Sequence, residues 1–382
     1  MAQFSVGDNT PIFQTTRYDA AGHVTFKSYP SSASGTTFAL DDLGRVLTTA
    51  HPSSTGGTVG KTYTYQPSAT RIQNERGLTT TYHYRGFDAD QRDLVFVGAA
   101  DSYANTRIDR NTLGQPIQIA QGDKTRSFTY DSHFFLKTKT DPETGTTSYE
   151  RDEVGNMTSR RVGQSPTTNF AYDDLNRLTT TTYPSGPPVV RTYYRDDKIR
   201  TVGNGVADLS YTYDPNKNLI AETLSVGTQS FPTGYAYNGN DALNVLTYGS
   251  GKTVTYSPDA LGRPTEAAPY VSSVTYHTAG PMSSMTYANG VTTSVGLNPR
   301  LWPSTLTIRP AAALILSSRY GYDENGNVLS IADAADASYN RTMTYDGIDR
   351  MITAAGSWGV GTFVYDGRGN MRTQRLGNFA IG

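Results

Sequence analysis

The chain has 382 residues, among them 27 tyrosines and 37 glycines, no cysteine, a formal net charge of −1 and a mean hydropathy of −0.50. So even a charge balance offers no basic surplus for nucleic-acid phosphates, and the missing cysteine removes disulfides, thiolate zinc sites and thiol nucleophiles together while suiting a protein that must unfold for export. Ring-rich composition without long Leu or Ile runs favours sheet over helix.

Taken in chain order, the start MAQFSVGDNT has neither the basic residues nor the apolar core of a targeting segment. Tyr18-Asp19-x-x-Gly22-x-Val24 then introduces a pattern that returns as Tyr172-Asp173-x-x-Asn176-x-Leu178, Tyr322-Asp323-x-x-Gly326-x-Val328, Tyr345-Asp346-x-x-Asp349-x-Met351 and Tyr365-Asp366-x-x-Gly369-x-Met371. Weaker copies keep the rhythm: Leu40 stands for the tyrosine before Asp41, and Lys217 takes the glycine position after Asp214. Anchors recur about every 22 residues from 18 to 365, which makes an array of about 17 units. Residues 86–106 and 298–318 depart from the rhythm but stay strand-like, YPSGPPVV at 183–190 reads as a turn, and no stretch has linker composition. Residues 1–382 therefore read as one array with no separate catalytic or toxin domain. The longest apolar run, residues 311–316, is far too short to cross a bilayer.

Each unit predicts a β-hairpin. Aromatic residues alternate before the motif, as in Tyr63-x-Tyr65, Phe128-x-Tyr130, Tyr211-x-Tyr213 and Tyr320-x-Tyr322, so period two sets those rings on one strand face. Asp-x-x-Gly then matches a type I turn with a left-handed fourth residue. Past the glycine an apolar residue returns, as Val24, Val46, Met157, Leu178, Leu219, Met282, Val328, Met351 and Met371, which places one buried position on the outgoing strand. One ring and one aliphatic group contribute about 1.5 to 3 kcal/mol each when fully buried, while ordering a residue costs about 1 to 2 kcal/mol. A lone unit of this size cannot fold, so neighbours must complete it.

These motifs resemble the bacterial Rhs and YD-repeat proteins, whose pattern Y-D-x-x-G-R/N-L/V-T with a following T-x-Y strand is matched by YDENGNVLSI, SPDALGRPTEA, YDDLNRLTTT and NERGLTTTYHY across nearly the whole chain. The resemblance implies an all-β fold in which tandem hairpins form a long curved or spiralling antiparallel sheet, an open shell or solenoid. In that family the shell commonly encloses a toxic or unfolded polypeptide, as in the cargo-enclosing components of insecticidal toxin complexes, and relatives include the shell of teneurin receptors. The usual closing core rich in Arg, Tyr, Asp, Pro and Gly has no counterpart before the sequence ends at RLGNFAIG, and no N-terminal extension for a secretion spike is present. Autoproteolysis and toxicity are therefore not carried over; a shell segment is, either as part of a longer protein or as a short array.

Catalytic readings fail on spacing. YGSGKT at 248–253 ends like a phosphate-binding loop, yet Leu246 stands where the motif needs glycine and no helix follows. His23, His51, His83, His133 and His277 are scattered over different units without metal-ligand spacing and read as surface or strand residues. The repeated aspartates, Asp19, Asp131, Asp173, Asp214, Asp323, Asp346 and Asp366, read as side chains that bond the turn backbone. Two oxygen-rich loops, Asp88/Asp90/Asp93 and Asp323/Asn325/Asn327, lack the twelfth-position glutamate of a calcium loop. No residue is assigned a catalytic, cofactor-binding or metal role, and no cofactor is expected. The function expected is a structural shell segment that encloses or scaffolds a polypeptide such as a toxin, secreted or at the surface of a bacterium. The alternative is an extracellular fibre or adhesion module whose exposed rings bind glycan or protein and whose strand edges pair head to tail. Partners would be the enclosed polypeptide or further repeats, with no nucleic acid and no membrane span.

Overall fold

A computed structural model describes residues 2–5, 11–53, 56–86, 92–99, 105–311, 313–377 and 379–381. The chain is all-β, as expected; the one helical element among the described residues is a 3-10 turn at Ala337–Tyr339. Strands β3 (Thr16–Tyr18) to β26 (Thr253–Thr255) form a sheet of 24, and β27 (Val271–Tyr276) to β37 (Phe379–Ile381) a sheet of 11, each strand lying beside its neighbours in sequence. The N-terminal strands β1 (Ala2–Ser5) and β2 (Pro11–Gln14) make a separate antiparallel pair. The chain packs as two compact units: one holds Met1–Asp109, Ala120–Lys124 and Pro269–Gly382, the other Arg110–Ile119 and Thr125–Ala268.

The hairpin of β31 (Leu316–Tyr322) and β32 (Val328–Asp333) shows why the motif takes this form. Asp323 and Asn327 close the turn through the Asp323 N–H donating to the Asn327 carbonyl at 2.9 Å, and Gly326 N–H returns to the Asp323 carbonyl at 3.2 Å. Oδ1 of Asp323 accepts the N–H groups of Asn325 and Asn327 at 3.0 and 2.9 Å, so a side chain replaces water for two turn donors. Gly326 lies at φ 98°, the left-handed region that glycine enters without cost. A bulge between Gly321 and Tyr322 then sets Tyr322 opposite Val328. The same bulged pairing joins Tyr18 to Val24, Tyr172 to Leu178, Tyr345 to Met351 and Tyr365 to Met371. Where glycine is missing the backbone still turns left-handed, at Asn176, Asp197, Lys217 and Asp349. The stretch around Gly251 is likewise a glycine hairpin, closed by the Gly251 N–H on the Tyr248 carbonyl at 2.8 Å.

Two further bonds join successive units. The tyrosine hydroxyl of one hairpin donates to the carbonyl of the apolar position in the hairpin before it: Tyr172 to Met157 at 3.0 Å, Tyr193 to Leu178 at 2.7 Å, Tyr345 to Val328 at 3.0 Å and Tyr365 to Met351 at 2.8 Å. At the turn, the Arg or Asn after the left-handed residue ties back to the motif aspartate, as Arg177 Nε to Asp173 Oδ2 at 2.8 Å, and reaches on to the next turn, as Arg177 Nη1 to Asp197 Oδ1 at 2.8 Å. The guanidinium of Arg177 also lies 4.7 Å from the Tyr193 ring centre.

Ring faces are half-covered and the opposite faces are open. In β8 (Thr62–Gln66) and β22 (Ala207–Tyr213) the tyrosines are part-buried while Thr62, Thr64, Ser210 and Thr212 are exposed. Only Ala69, Val254, Val271 and Phe363 are buried hydrophobic residues among those described, and no large side chain is wholly buried. Cohesion comes from ladder and side-chain bonds along the sheet instead of a central core.

Left-handed positions differ in what surrounds them. A Cβ at Gly22 meets nothing within 4 Å, whereas one at Gly326 comes 2.9 Å from the Trp302 ring. Asparagine tolerates the left-handed backbone, so Gly22→Asn is expected to leave the thermal midpoint nearly unchanged and Gly326→Asn to cost about 1 to 3 kcal/mol through overpacking. Equal shifts of the two variants in thermal melts would contradict this placement of Trp302.

Candidate functional site

The densest polar cluster lies within the first unit and brings together residues about 270 positions apart in sequence. It is built on hairpin tips. Between β9 (Ala69–Gln73) and β10 (Thr79–Arg85), Asn74 takes the aspartate role, its Oδ1 accepting from the N–H groups of Arg76 and Leu78 at 3.1 and 2.9 Å. That turn presents Glu75 and Arg76 to the tips at 298–302, 323–327 and 346–350. Arg76 Nη1 donates to the Asp349 carboxylate at 2.7 Å and to the Asp346 carbonyl at 3.0 Å, and its Nε lies 3.4 Å from Asp323. Asp349, on its left-handed backbone, also accepts Asn327 Nδ2 at 2.7 Å and Asn325 Nδ2 at 3.0 Å. Burial opposes ionisation of Asp349, but the Asn327, Arg76 and Asn325 side chains more than offset it and hold the carboxyl below its ordinary range.

Beside this layer sits a drier one. Glu75, 7% exposed, lies 3.6 Å from His51 Nε2 and 3.9 Å from Arg300 Nη2. Arg300 rests 4.0 Å over the Trp302 ring, donates to the Glu324 carbonyl, and faces the Glu324 carboxylate at 3.9 Å. Ser53 Oγ donates to Glu324 Oε1 at 2.7 Å. Burial first, then the Arg300 charge, push the His51 imidazole below its usual value, against the pull of Glu75. Ser53, His51 and Glu75 are the residue types of a nucleophile relay, but the Ser53 hydroxyl is spent on Glu324 and His51 turns its Nε2 to Glu75. The arrangement is an ionic clamp between hairpin tips.

Other residues singled out in the sequence fall elsewhere. His23 bonds Asp19 at 3.1 Å in its own turn, His83 packs on Phe96 at 5.5 Å, His133 lies 6.4 Å from Phe135, and His277 Nε2 meets the Val295 carbonyl at 2.7 Å. His51 is a strand residue of β6 (Val46–Pro52), within the surface-or-strand expectation, and it is buried inside a charge cluster that the sequence did not indicate. The motif aspartates bond their turns as expected, for example Asp131 to the N–H groups of His133 and Phe135, each at 2.9 Å. Asp88 and Asp90 lie outside the described residues, and Asp93 pairs with Arg85 at 3.1 Å. Asp323, Asn325 and Asn327 are engaged with the turn and with Asp349. Among the described residues, no three His, Asp or Glu side chains are grouped to hold a metal. Glu75, Arg76 and Arg300 carried no repeat-breaking signal, because other tips hold charged or polar residues at the same positions, such as Glu153, Asp174 and Asp196.

No protein-family model and no curated protein matches the sequence. Solved structures do. A crystal structure of TcdB2-TccC3 without its hypervariable C-terminal region superposes with a TM-score of 0.77 at 14% identity, over 96% of this chain and 23% of that one. A TcdB2-TccC3-TEV structure gives 0.76, again at 14% identity, over 96% and 24%. The Photorhabdus luminescens Tc holotoxin pore gives 0.67 at 16% identity, over 97% and 24%. The chain thus spans about a quarter of the length of these chains and shares their fold, in agreement with the YD-repeat resemblance.

Removing one partner of a buried ion pair leaves the other charge uncompensated, so Arg300→Ala is expected to lower stability by about 3 to 5 kcal/mol in chemical denaturation; a cost below about 1 kcal/mol, the range of exposed pairs, would show the clamp to be idle. Because the folded protein holds His51 below the unfolded value of about 6.5, its contribution is complete above that pH and is lost as pH falls. Wild type should therefore lose thermal midpoint on acidification from about pH 7.5 to 5.5 more steeply than His51→Gln. Parallel curves would refute it.

Proposed function

We propose that this chain, which has the YD-repeat sheet fold of the TcdB2-TccC3 chains, is a non-catalytic wall segment that encloses or scaffolds a polypeptide cargo such as a toxin, outside the cell or at its surface in a bacterium. The observation that carries the reading is the burial pattern. A chain of 382 residues ordinarily buries a substantial core, yet no large side chain here is wholly buried among the described residues. Material arranged so is used as surface on both faces, which is what a wall needs and a compact enzyme does not.

The chemistry of the open face supports this role. Cross-strand hydroxyl pairs such as Thr129 with Thr138, Thr192 with Thr201 and Thr344 with Thr353, each at 2.6 Å, give a polar surface. Exposed Val360, Val364 and Arg375 share that face with Thr344, Thr353 and Thr362, so an unfolded passenger meets a mixed surface in which hydroxyl pairs alternate with short apolar and cationic side chains. Neutral hydroxyls also satisfy one another, so the surface stays wet without attracting a particular ligand.

A compact 382-residue globule would have a radius of gyration of about 21 Å. Small-angle scattering of the purified chain is expected to give a clearly larger value, and a result at the compact limit would overturn the wall reading. Enclosure is tested by fusing an unstructured, trypsin-sensitive reporter after Gly382. Slower cleavage than of the free reporter supports cargo protection; cleavage at the free rate leaves a scaffold without enclosure.

A further inference from the structure

Strand ladders do not hold the clamp together. Residues 51–53 and 74–78 lie on strands and turns of the sheet of 24, and the tips at 298–302, 323–327 and 346–350 on the sheet of 11. No ladder joins the two groups among the described residues. The polar contacts described across this seam are made by side chains: Arg76 with Asp346, Asp349 and Asp323, Glu75 with Arg300, and Ser53 with Glu324. A seam built so can part while every hairpin keeps its own bonds.

The two layers of the seam differ in how far water reaches. The Arg76 and Asp349 side chains are 23% and 40% exposed, and ion pairs as open as theirs hold weakly. The inner layer is dry, with Glu75, His51 and Arg300 only 7, 10 and 10% exposed. Closure therefore rests on the inner layer, and charge is matched there while His51 is neutral. Arg300 lies 3.9 Å from both Glu75 and Glu324. Lys61, just before β8, opposes a charge on His51 as Arg300 does, whereas Glu75 and Glu324 favour one. Two carboxylates thus face two cations. An imidazolium adds a third cation, with no carboxylate of its own, in a place that water does not reach.

Geometry shows where that charge acts. His51 Nε2 is buried without a hydrogen-bond partner, and Glu75 is 3.6 Å from it. His51 and Glu75 lie on one side of the seam and Arg300 on the other. With both ring nitrogens protonated, Nε2 becomes a donor facing Glu75, and the ring charge is set against Arg300. One carboxylate then serves two cations, and the nearer of them is on its own side.

We propose that His51 is an acid-operated latch: when its imidazole takes a proton, Glu75 exchanges Arg300 for His51, and residues 51–53 and 74–78 part from the facing tips while the hairpins keep their ladders. The opened seam lets the imidazolium hydrate, so the open state binds the proton more readily than the closed one. Closure is therefore complete above the ordinary histidine value of about 6.5 and weakens as pH falls below it. The Asp349 carboxyl, held below its ordinary range, does not titrate near that pH, so the trigger is in the inner layer.

Double electron–electron resonance reads the separation in a chain with no native cysteine. Nitroxide labels are placed at Gln73→Cys and Leu329→Cys, exposed strand positions beside the tips on either side of the seam. One short-distance population is expected at about pH 7.5, with a longer one growing reversibly toward about pH 5.5, while far-UV circular dichroism stays unchanged. His51→Gln, which keeps a polar side chain but takes no proton, is expected to lose the longer population at the acid end, and so is His51→Leu. A wild-type distribution that does not change between the two pH values, a change that coincides with loss of circular dichroism, or variants that open in acid as wild type does would each overturn the proposal.

Discussion

A tyrosine hydroxyl that must meet the carbonyl of the preceding hairpin is the interaction on which the rest of this molecule depends. Among the described residues no large side chain is wholly buried, so hydrophobic burial cannot by itself offset the ordering of so long a chain. Each hairpin has instead a set of small, directional links to the next: the hydroxyl bond, the Arg or Asn at the turn, and in places a guanidinium over a ring. One such bond contributes about 0.5 to 1.5 kcal/mol, and its worth here lies in recurrence. Stability is then approximately additive along the array, with each unit completing its neighbour.

The same links explain the composition of the motif. Aspartate opens the turn because its carboxylate accepts two backbone N–H groups and still has an oxygen for the Arg or Asn beyond. In Asp173 the Arg177 N–H and guanidinium hold the carboxyl below its ordinary range. Asparagine does the backbone part of the work without a charge, as Asn74, Asn111, Asn238 and Asn298 show. Asp and Asn at the left-handed position add something glycine lacks. Asp197, Asp241 and Asp349 each accept from the Arg or Asn of the turn before, at 2.7 to 2.8 Å in the shortest contacts.

Tips carry the variation that the strands do not permit. Strand positions are constrained by register, since a slip of one residue would exchange the ring face for the hydroxyl face. Tip positions are constrained only by turn geometry, and so they are free to carry Glu75 and Arg76 in one place, Leu113 and Val154 in another, and Asp196 or Asn240 in a third. Long-range contact in the first unit is written in those free positions. The His51, Glu75 and Arg300 group is its driest part, and there burial pushes a histidine toward its neutral form.

Much of this was legible in the sequence, because a β-hairpin is a local object. Alternating rings, the Asp-x-x-Gly turn and the apolar position after it are set by period-two geometry and by left-handed backbone preference, and both act within a dozen residues. Even Lys217 and Asp349 could be placed as left-handed from spacing alone. What the sequence did not disclose were contacts between residues about 225 to 273 positions apart. No local rule relates Glu75 to Arg300, Ser53 to Glu324 or Arg76 to Asp349, since each is an ordinary turn or strand residue in its own unit. Which tips face a partner and which stay exposed depends on how far the accumulated path of the sheet carries one hairpin toward another. Short-range sterics and hydrogen bonding determined the unit; only the tertiary structure, which sums the small twist of many strands, decided where charge meets charge and where leucine meets water.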